Sequence, residues 1–253
     1  MTASAGIHVF DTSKELIAKA AEDIVNAAAR AVADHGHFTI ALSGGSTPKP
    51  LYELLASAPL KYEMPWKKTF FFFGDERCVP HTSDESNFKM AKQTLFKPDL
   101  VRDENVFATE LQDSDPEESA KLYEEEIQAF FDLEENQFPK FDLILLGLGD
   151  DGHTASLFPG TAALNECRKI CVANYVEKFK TNRITLTLPV LDNAVNVWFI
   201  VSGKGKSKVV SEIISGKDKD LYPAQMVKPV SGQPQWYLDK DAASALDPAF
   251  CRT

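Results

Sequence analysis

Residues 143–159 of the chain read LILLGLGDDGHTASLFP. Four apolar residues in a row, 143–146, are typical of a strand that is buried on both faces, as in a parallel sheet. Glycines end this strand and allow a tight turn, and Asp151 and His153 follow it directly. In open α/β sheets, ligands bind at the carboxyl ends of the strands. The stretch therefore predicts a fold class and the place of a site in it.

Apolar segments alternate with helical patterns on both sides of this stretch. The predicted strands cover residues 7–10, 38–42, 68–73, 183–188, 196–201 and 236–239. Repeated strand–helix alternation is typical of a sheet that is covered by helices on both faces. We therefore expect residues 1–253 to form one α/β domain with a single doubly wound, mostly parallel sheet, in a Rossmann-like arrangement of three layers.

The overall composition excludes several classes of protein. The 253 residues carry a net charge of −10, and no basic stripe is present, so nucleic acid is not an expected partner. No apolar run approaches the roughly 20 residues that a membrane helix needs. The N-terminus lacks a basic segment followed by an apolar one, so no secretory signal is predicted. An anionic ligand would have to be bound by a few well-placed Arg and Lys side chains.

The cysteines do not indicate a metal site. Cys78, Cys167, Cys171 and Cys251 form no C-x-x-C pair and show no zinc spacing. The close pair Cys167 and Cys171 is more typical of helix-face or core thiols. Reduced thiols in the cytoplasm are the expected state.

A second candidate site segment follows the predicted strand 38–42. Proline is favoured in the first turn of a helix, so a helix is predicted to begin at Pro48. Small and hydroxyl-bearing residues then lie at the helix N-terminus, where free N–H groups bind anions. These residues are Ser43, Gly44, Gly45, Ser46 and Thr47. The segment is no Walker motif, because no Gly-Lys-Ser/Thr follows; a plain polar turn is the alternative to a phosphate site.

Charged residues also lie near the ends of three other predicted strands. Asp75 and Arg77 follow strand 68–73, Arg183 begins strand 183–188, and Lys206 follows strand 196–201. A lysine in the first turn of a helix is electrostatically unfavourable, which indicates an anionic partner. Each cluster alone is also compatible with a solvated loop. Because they recur at strand ends, a shared site is the better interpretation.

Taken in chain order, these segments resemble the 6-phosphogluconolactonases, which belong with the glucosamine-6-phosphate isomerase/deaminases in a wider superfamily. The resemblance covers residues 7–246 and rests on residues 42–48, 75–80, 147–159, 183–187, 203–206 and 236–239. It implies a Rossmann-like sheet without metal or organic cofactor. It also implies hydrolysis of an anionic phosphosugar lactone, 6-phospho-D-glucono-1,5-lactone, in the oxidative pentose phosphate pathway.

The resemblance also implies roles for single residues. His153 matches the general base, and Gly44, Gly45 and Ser46 match the phosphate loop. Basic positions for the substrate phosphate are matched by Arg183 and Lys206. Asp75, Arg77 and Asp151 match positions that line the site. The chemistry agrees, because a neutral histidine can activate water and a carboxylate, Asp151 or Asp75, can orient its ring.

The sequence favours lactone hydrolysis over two other functions. Deamination of glucosamine 6-phosphate needs a further acid or base near the histidine, but the sequence has no carboxylate between His153 and Glu166. A non-catalytic phosphosugar sensor is the second alternative, although such modules usually carry a DNA-binding domain. A covalent serine mechanism is not favoured, because no G-x-S-x-G motif is present. We expect a cytoplasmic monomer or weak homo-oligomer.

Overall fold

The computed structural model describes residues 6–109, 115–216 and 222–251. Six strands form a parallel sheet: β1 Gly6–Phe10, β2 Phe38–Leu42, β3 Thr69–Phe73, β5 Leu143–Leu146, β8 Val197–Val201 and β9 Gln235–Asp239. Their order across the sheet is β1-β9-β8-β5-β2-β3. The predicted parallel sheet is confirmed, and every predicted strand except 183–188 lies in it.

Seven α-helices connect the strands in the described part of the chain. They are α1 Ser13–His35, α2 Pro48–Leu55, α3 Asn87–Thr94, α4 Pro116–Phe131, α5 Leu188–Asn193, α6 Ser207–Ser215 and α7 Pro223–Met226. Helix α1 begins where the Thr12 hydroxyl accepts a hydrogen bond from the Glu15 N–H, and it ends at Gly36, which has φ +92°. Within the described ranges, no helix is long and apolar enough to cross a membrane.

The parallel sheet separates two apolar cores. In β5, Leu143 and Leu145 belong to the core that includes α1, whereas Ile144 and Leu146 belong to the core on the opposite face. Successive side chains of a strand point to opposite faces, so a strand with apolar residues at every position is covered on both sides. This arrangement gives the predicted three layers.

A second, antiparallel sheet was not expected. It has the order β4-β7-β6, with β4 Asp75–Arg77, β6 Cys171–Val176 and β7 Thr181–Leu186. The predicted strand 183–188 is observed as β7, which ends at Leu186, and it lies in this second sheet and not in the parallel one. Alternating hydrophobicity identifies a half-buried strand but does not identify its partner strands.

The carboxyl ends of β2 and β3 are fixed by two buried tyrosines. The Tyr52 hydroxyl accepts a hydrogen bond from the Ser43 N–H and donates one to the Ser43 carbonyl, at 3.0 and 2.8 Å. The Tyr123 hydroxyl does the same at Phe73, at 2.7 and 3.0 Å. The backbone N–H and carbonyl groups at these strand ends are thus hydrogen-bonded within the protein. The loops that follow β2 and β3 therefore begin at fixed positions.

Candidate active site

A cleft of about 240 Å³ opens at the carboxyl edge of the parallel sheet, between the loops that follow β2, β5 and β8 and the strand β4. Most of the predicted site residues line it: Ser43, Gly44, Gly45, Ser46, Thr47, Asp75, Arg77, His153 and Lys206. A larger cleft of about 1080 Å³ between α3 and α4 contains none of them. The smaller cleft is the candidate active site because it collects the strand-end residues.

Asp151 holds the imidazole of His153. Its Oδ1 lies 2.5 Å from His153 Nδ1 and also accepts a hydrogen bond from the His153 N–H at 3.3 Å. A carboxylate can only accept, so Nδ1 carries the proton and Nε2 is the basic nitrogen. The sequence left open whether Asp151 or Asp75 contacts the imidazole. In the structure, Asp151 makes this contact.

The electrostatics of this pair favour a neutral imidazole beside an ionised carboxylate. Burial lowers the pKa of His153, and the hydrogen bond and charge of Asp151 oppose this effect without cancelling it. Burial raises the pKa of Asp151, but hydrogen bonds from Lys178 and His153 outweigh it and lower that pKa to about 2. At neutral pH, His153 is therefore available as a proton acceptor.

The glycine-rich loop leaves room for this ring. A Cβ atom on Gly149 would lie 1.9 Å from His153 Nδ1, so only glycine fits there. The Gly149 N–H donates to the His153 carbonyl at 2.8 Å, and the Thr154 hydroxyl donates to the Gly147 carbonyl at 2.9 Å. The loop thus folds back on itself and fixes the position of the histidine.

Asp75 lines the same cleft, but its carboxylate has other partners. The Asp75 Oδ2 accepts a hydrogen bond from the Ser156 hydroxyl at 2.6 Å, and the Asn87 side-chain amide donates to the backbone carbonyl of Asp75 at 2.8 Å. The neighbouring Glu76 is buried and accepts hydrogen bonds from the first N–H groups of α3, at Asn87 and Phe88. These contacts fix β4 and α3 to the cleft wall.

Two arginines lie side by side on the second sheet. Arg77 in β4 pairs directly with Arg183 in β7, so their side chains lie on the same face. Their Nε atoms are buried and have no hydrogen-bond partner among the described residues. Burial and the charge of Arg77 lower the pKa of Arg183. Two adjacent guanidinium groups whose Nε atoms have no partner among the described residues are suited to an anion, although only Arg77 lines the cleft itself.

The predicted phosphate loop lies at the N-terminus of α2, as expected. A Cβ atom on Gly44 would lie 1.8 Å from Asn87 Oδ1, so glycine is needed for this close approach. The Thr47 hydroxyl lies 3.1 Å from the Ser202 hydroxyl, which connects this loop to the end of β8. Lys206 faces the cleft from the loop that follows β8 and forms an ion pair with Asp150.

Several residues of the site escaped the sequence analysis. Phe158 stacks on the His153 ring with a centroid distance of 3.9 Å, and Lys178 donates to Asp151 Oδ2 at 2.8 Å. Asn87 and Ser156 hold Asp75. Phe158 and Ser156 lie within residues 143–159, so their position next to His153 in the sequence could have identified them as site residues. Lys178 and Asn87 come from distant segments, and no local sequence pattern indicates that they contact this loop.

Glu166, the first carboxylate after His153 in the sequence, lies away from the cleft. It is partly exposed and accepts hydrogen bonds from the N–H groups of Arg168 and Lys169. Within the described parts of the chain, no three His, Cys, Asp or Glu side chains are grouped so that they could hold a metal ion.

Comparisons with known proteins agree with this geometry. Residues 11–236 match the family model described as glucosamine-6-phosphate isomerases/6-phosphogluconolactonase. The chain is similar to a 6-phosphogluconolactonase of Synechocystis sp., with 41% identity over 96% of this chain and 98% of the relative. Among solved structures it resembles the 6-phosphogluconolactonase from Trypanosoma cruzi, with 32% identity, a TM-score of 0.85 and coverage of 96% of this chain and 97% of the other. The Trypanosoma brucei structure has 30% identity, a TM-score of 0.86 and coverage of 96% and 99%. The chain therefore belongs to the glucosamine-6-phosphate isomerase/6-phosphogluconolactonase family.

Proposed function

We propose that this protein hydrolyses 6-phospho-D-glucono-1,5-lactone to 6-phospho-D-gluconate, as a step of the oxidative pentose phosphate pathway. The observation that carries the proposal is the His153–Asp151 pair, whose imidazole lines the same cleft as the glycine-rich loop at the N-terminus of α2, a type of segment suited to anions. The relatives that share most of the chain are named as enzymes of this activity.

The reaction starts with water and the lactone carbonyl. His153 Nε2 removes one proton from the water as the water oxygen bonds to C1, and the carbonyl oxygen becomes an oxyanion. Asp151 stabilises the imidazolium through Nδ1. The oxyanion then collapses, the bond between C1 and the ring oxygen breaks, and the imidazolium returns its proton to that oxygen. The products are a free hydroxyl group and a carboxylic acid, which loses its proton to the solvent at neutral pH and becomes the carboxylate.

The phosphate orients the lactone for this attack. We assign it to the N-terminal loop of α2 together with Arg77 and Lys206, with Arg183 adding a second guanidinium behind Arg77. Binding at a distance from C1 fixes the reacting carbon over the imidazole, so binding energy is used for positioning. Arg77, Lys206 and the backbone N–H groups line the cleft as donors, and those that do not bind the phosphate are available to the developing oxyanion.

The site supports lactone hydrolysis better than deamination. Ring opening and proton transfer between C1 and C2 need a further acid or base near His153. Glu166, the first carboxylate after His153, is bound to backbone N–H groups outside the cleft. Asp75 is the remaining carboxylate in the cleft lining, and it is already hydrogen-bonded to Ser156.

The activity is tested by producing the lactone in situ with glucose-6-phosphate dehydrogenase and following its disappearance. We expect a large acceleration over spontaneous hydrolysis and no release of ammonia from glucosamine 6-phosphate. Equal rates with and without the protein would refute the proposal. We further propose that residues 1–253 form one domain that acts in the cytoplasm as a monomer or weak homo-oligomer. Size-exclusion chromatography with light scattering tests the oligomeric state.

A further inference from the structure

The hairpin between β6 and β7 reaches the catalytic pair from outside the parallel sheet. Its turn, residues 177–180, closes with hydrogen bonds from Phe179 N–H to the Val176 carbonyl and from Lys180 N–H to the Glu177 carbonyl. At the tip, the Lys178 ammonium lies 2.8 Å from Asp151 Oδ2. Because Asp151 Oδ1 holds His153 Nδ1, the two oxygens of one carboxylate connect the hairpin to the imidazole.

The base of the hairpin is fixed to the loop that carries the histidine. Asn174 in β6 donates to the Ser156 carbonyl at 2.8 Å, and the Ser156 N–H donates to the Thr185 hydroxyl in β7 at 3.2 Å. The tip is supported as well, since the Phe179 ring packs edge-on against Phe158 at 5.8 Å. Lys178 is therefore presented to Asp151 from a hairpin that is attached at both ends.

Lys178 has too little burial for a role in stability. Its side chain is 55% exposed, and exposed ion pairs contribute little to the free energy of unfolding. Its position matters electrostatically, because its ammonium group contacts the Asp151 carboxylate, which is hydrogen-bonded to His153. The ammonium offsets the charge of Asp151, which otherwise favours the imidazolium.

We propose that Lys178 is a positioning residue for the reaction: it fixes the rotamer of Asp151 and offsets its charge, so that His153 is oriented and neutral at physiological pH. This inference rests on the proposed function, in which neutral His153 is the base. Without Lys178, the carboxylate would be held through Oδ1 alone and would stabilise the imidazolium more strongly.

The other charged groups around the imidazole do not replace Lys178. Asp75 faces it from β4 and favours the imidazolium, as Asp151 does. Lys206, from the loop after β8, is paired with Asp150, and Arg77 donates to the Glu85 carbonyl. Among the described residues, Lys178 is the cation that contacts Asp151 directly.

Three variants test the inference. Lys178→Met removes the charge and keeps the length of the side chain, Lys178→Arg keeps the charge, and Lys180→Met removes an exposed charge from the same turn. For each protein, kcat/KM for the lactone is measured from pH 5 to 8 with the spontaneous rate subtracted. The titration of His153 is followed by NMR, with its resonances assigned by their loss in His153→Gln.

For Lys178→Met, we expect the acid limb of kcat/KM and the His153 titration to move together to higher pH. The loss of activity at pH 5.5 relative to wild type should be roughly three- to tenfold. Lys178→Arg and Lys180→Met should follow the wild-type profile. An unchanged acid limb and an unchanged His153 titration in Lys178→Met would overturn the inference.

The NMR titration separates the two proposals. If wild type does not accelerate lactone hydrolysis, the proposed function fails, whereas a shifted His153 titration in Lys178→Met would still support the electrostatic link. If wild type is active and Lys178→Met keeps the wild-type titration, the link alone fails.

Discussion

Oδ1 of Asp151 lies 2.5 Å from Nδ1 of His153, and both residues lie in one short loop at the end of β5. This contact assigns the proton to Nδ1 and the lone pair to Nε2. The neighbouring glycine, Gly149, leaves space for the ring. The loop alone therefore orients the imidazole, and the cleft around it contains the glycine-rich and basic residues that we propose bind the substrate phosphate.

Asp151→Asn should reduce kcat by roughly 10²- to 10⁴-fold, because an amide neither favours the Nδ1–H tautomer nor stabilises the imidazolium. KM should change little, since Asp151 is not among the residues that line the cleft. Steady-state kinetics with the lactone measure both constants. Asp241→Asn, an exposed change away from the cleft, is the control and should match wild type. A variant Asp151→Asn with wild-type kcat would contradict the assigned role.

The pH dependence of kcat/KM reports the pKa of the base in the free enzyme. Burial lowers the pKa of His153 from its ordinary value of 6.5. The neutral form is active, so activity should be complete at pH 7 and should fall as the pH drops through a pKa below 6.5. Rates corrected for spontaneous hydrolysis between pH 4.5 and 8 measure this limb. An acid limb centred above pH 6.5 would be inconsistent with the electrostatics of the site.

Gly149→Ala should displace the imidazole, because the added Cβ would lie 1.9 Å from Nδ1. A shift of about 1 Å in a catalytic group costs on the order of 10²-fold, so we expect such a loss in kcat with a nearly unchanged KM. Gly147→Ala is the matched variant in the same loop, where the added Cβ would make an ordinary contact of 3.5 Å with Ser43 Oγ. Equal effects of the two changes would show that the clash with the ring is not the cause.

Arg183→Met should weaken recognition of the phosphate. Its Nε is buried without a partner in the described part of the chain, next to Arg77. Charge-assisted hydrogen bonds contribute roughly 1.5–3 kcal/mol each, so KM for the phosphorylated lactone should rise about tenfold or more. The hydrolysis of unphosphorylated glucono-1,5-lactone should change little. If both lactones lose activity equally, Arg183 has a structural role and not a phosphate-binding one.

The sequence predicted the parallel sheet because its strands are short, apolar and separated by helical patterns. It also predicted that the ends of these strands share a site, since the carboxyl ends of parallel strands meet at one edge. Gly44 and His153 were identified in this way, and both lie at the cleft. The single domain over residues 1–253 stays a prediction, as do the roles of the site residues.

The contacts made across the second sheet could not be predicted. The sequence identifies Arg183 as a basic residue in a strand. It does not show that Arg183 lies next to Arg77, because this contact depends on an antiparallel pairing that leaves no periodic signal. Lys178 lies in a hairpin turn that resembles any exposed, charged turn, and its partner Asp151 is distant in sequence. Non-local pairing of this kind depends on the tertiary fold, which local patterns do not specify.

The most direct measurement compares wild type with His153→Gln in single-turnover hydrolysis of the lactone, with binding of 6-phosphogluconate measured in parallel by calorimetry. General-base catalysis by His153 predicts a loss of roughly 10²- to 10⁴-fold in the rate of the chemical step, with product affinity preserved by the phosphate site. Hydrolysis by His153→Gln at the wild-type rate would contradict the account, because another group would then have to activate the water.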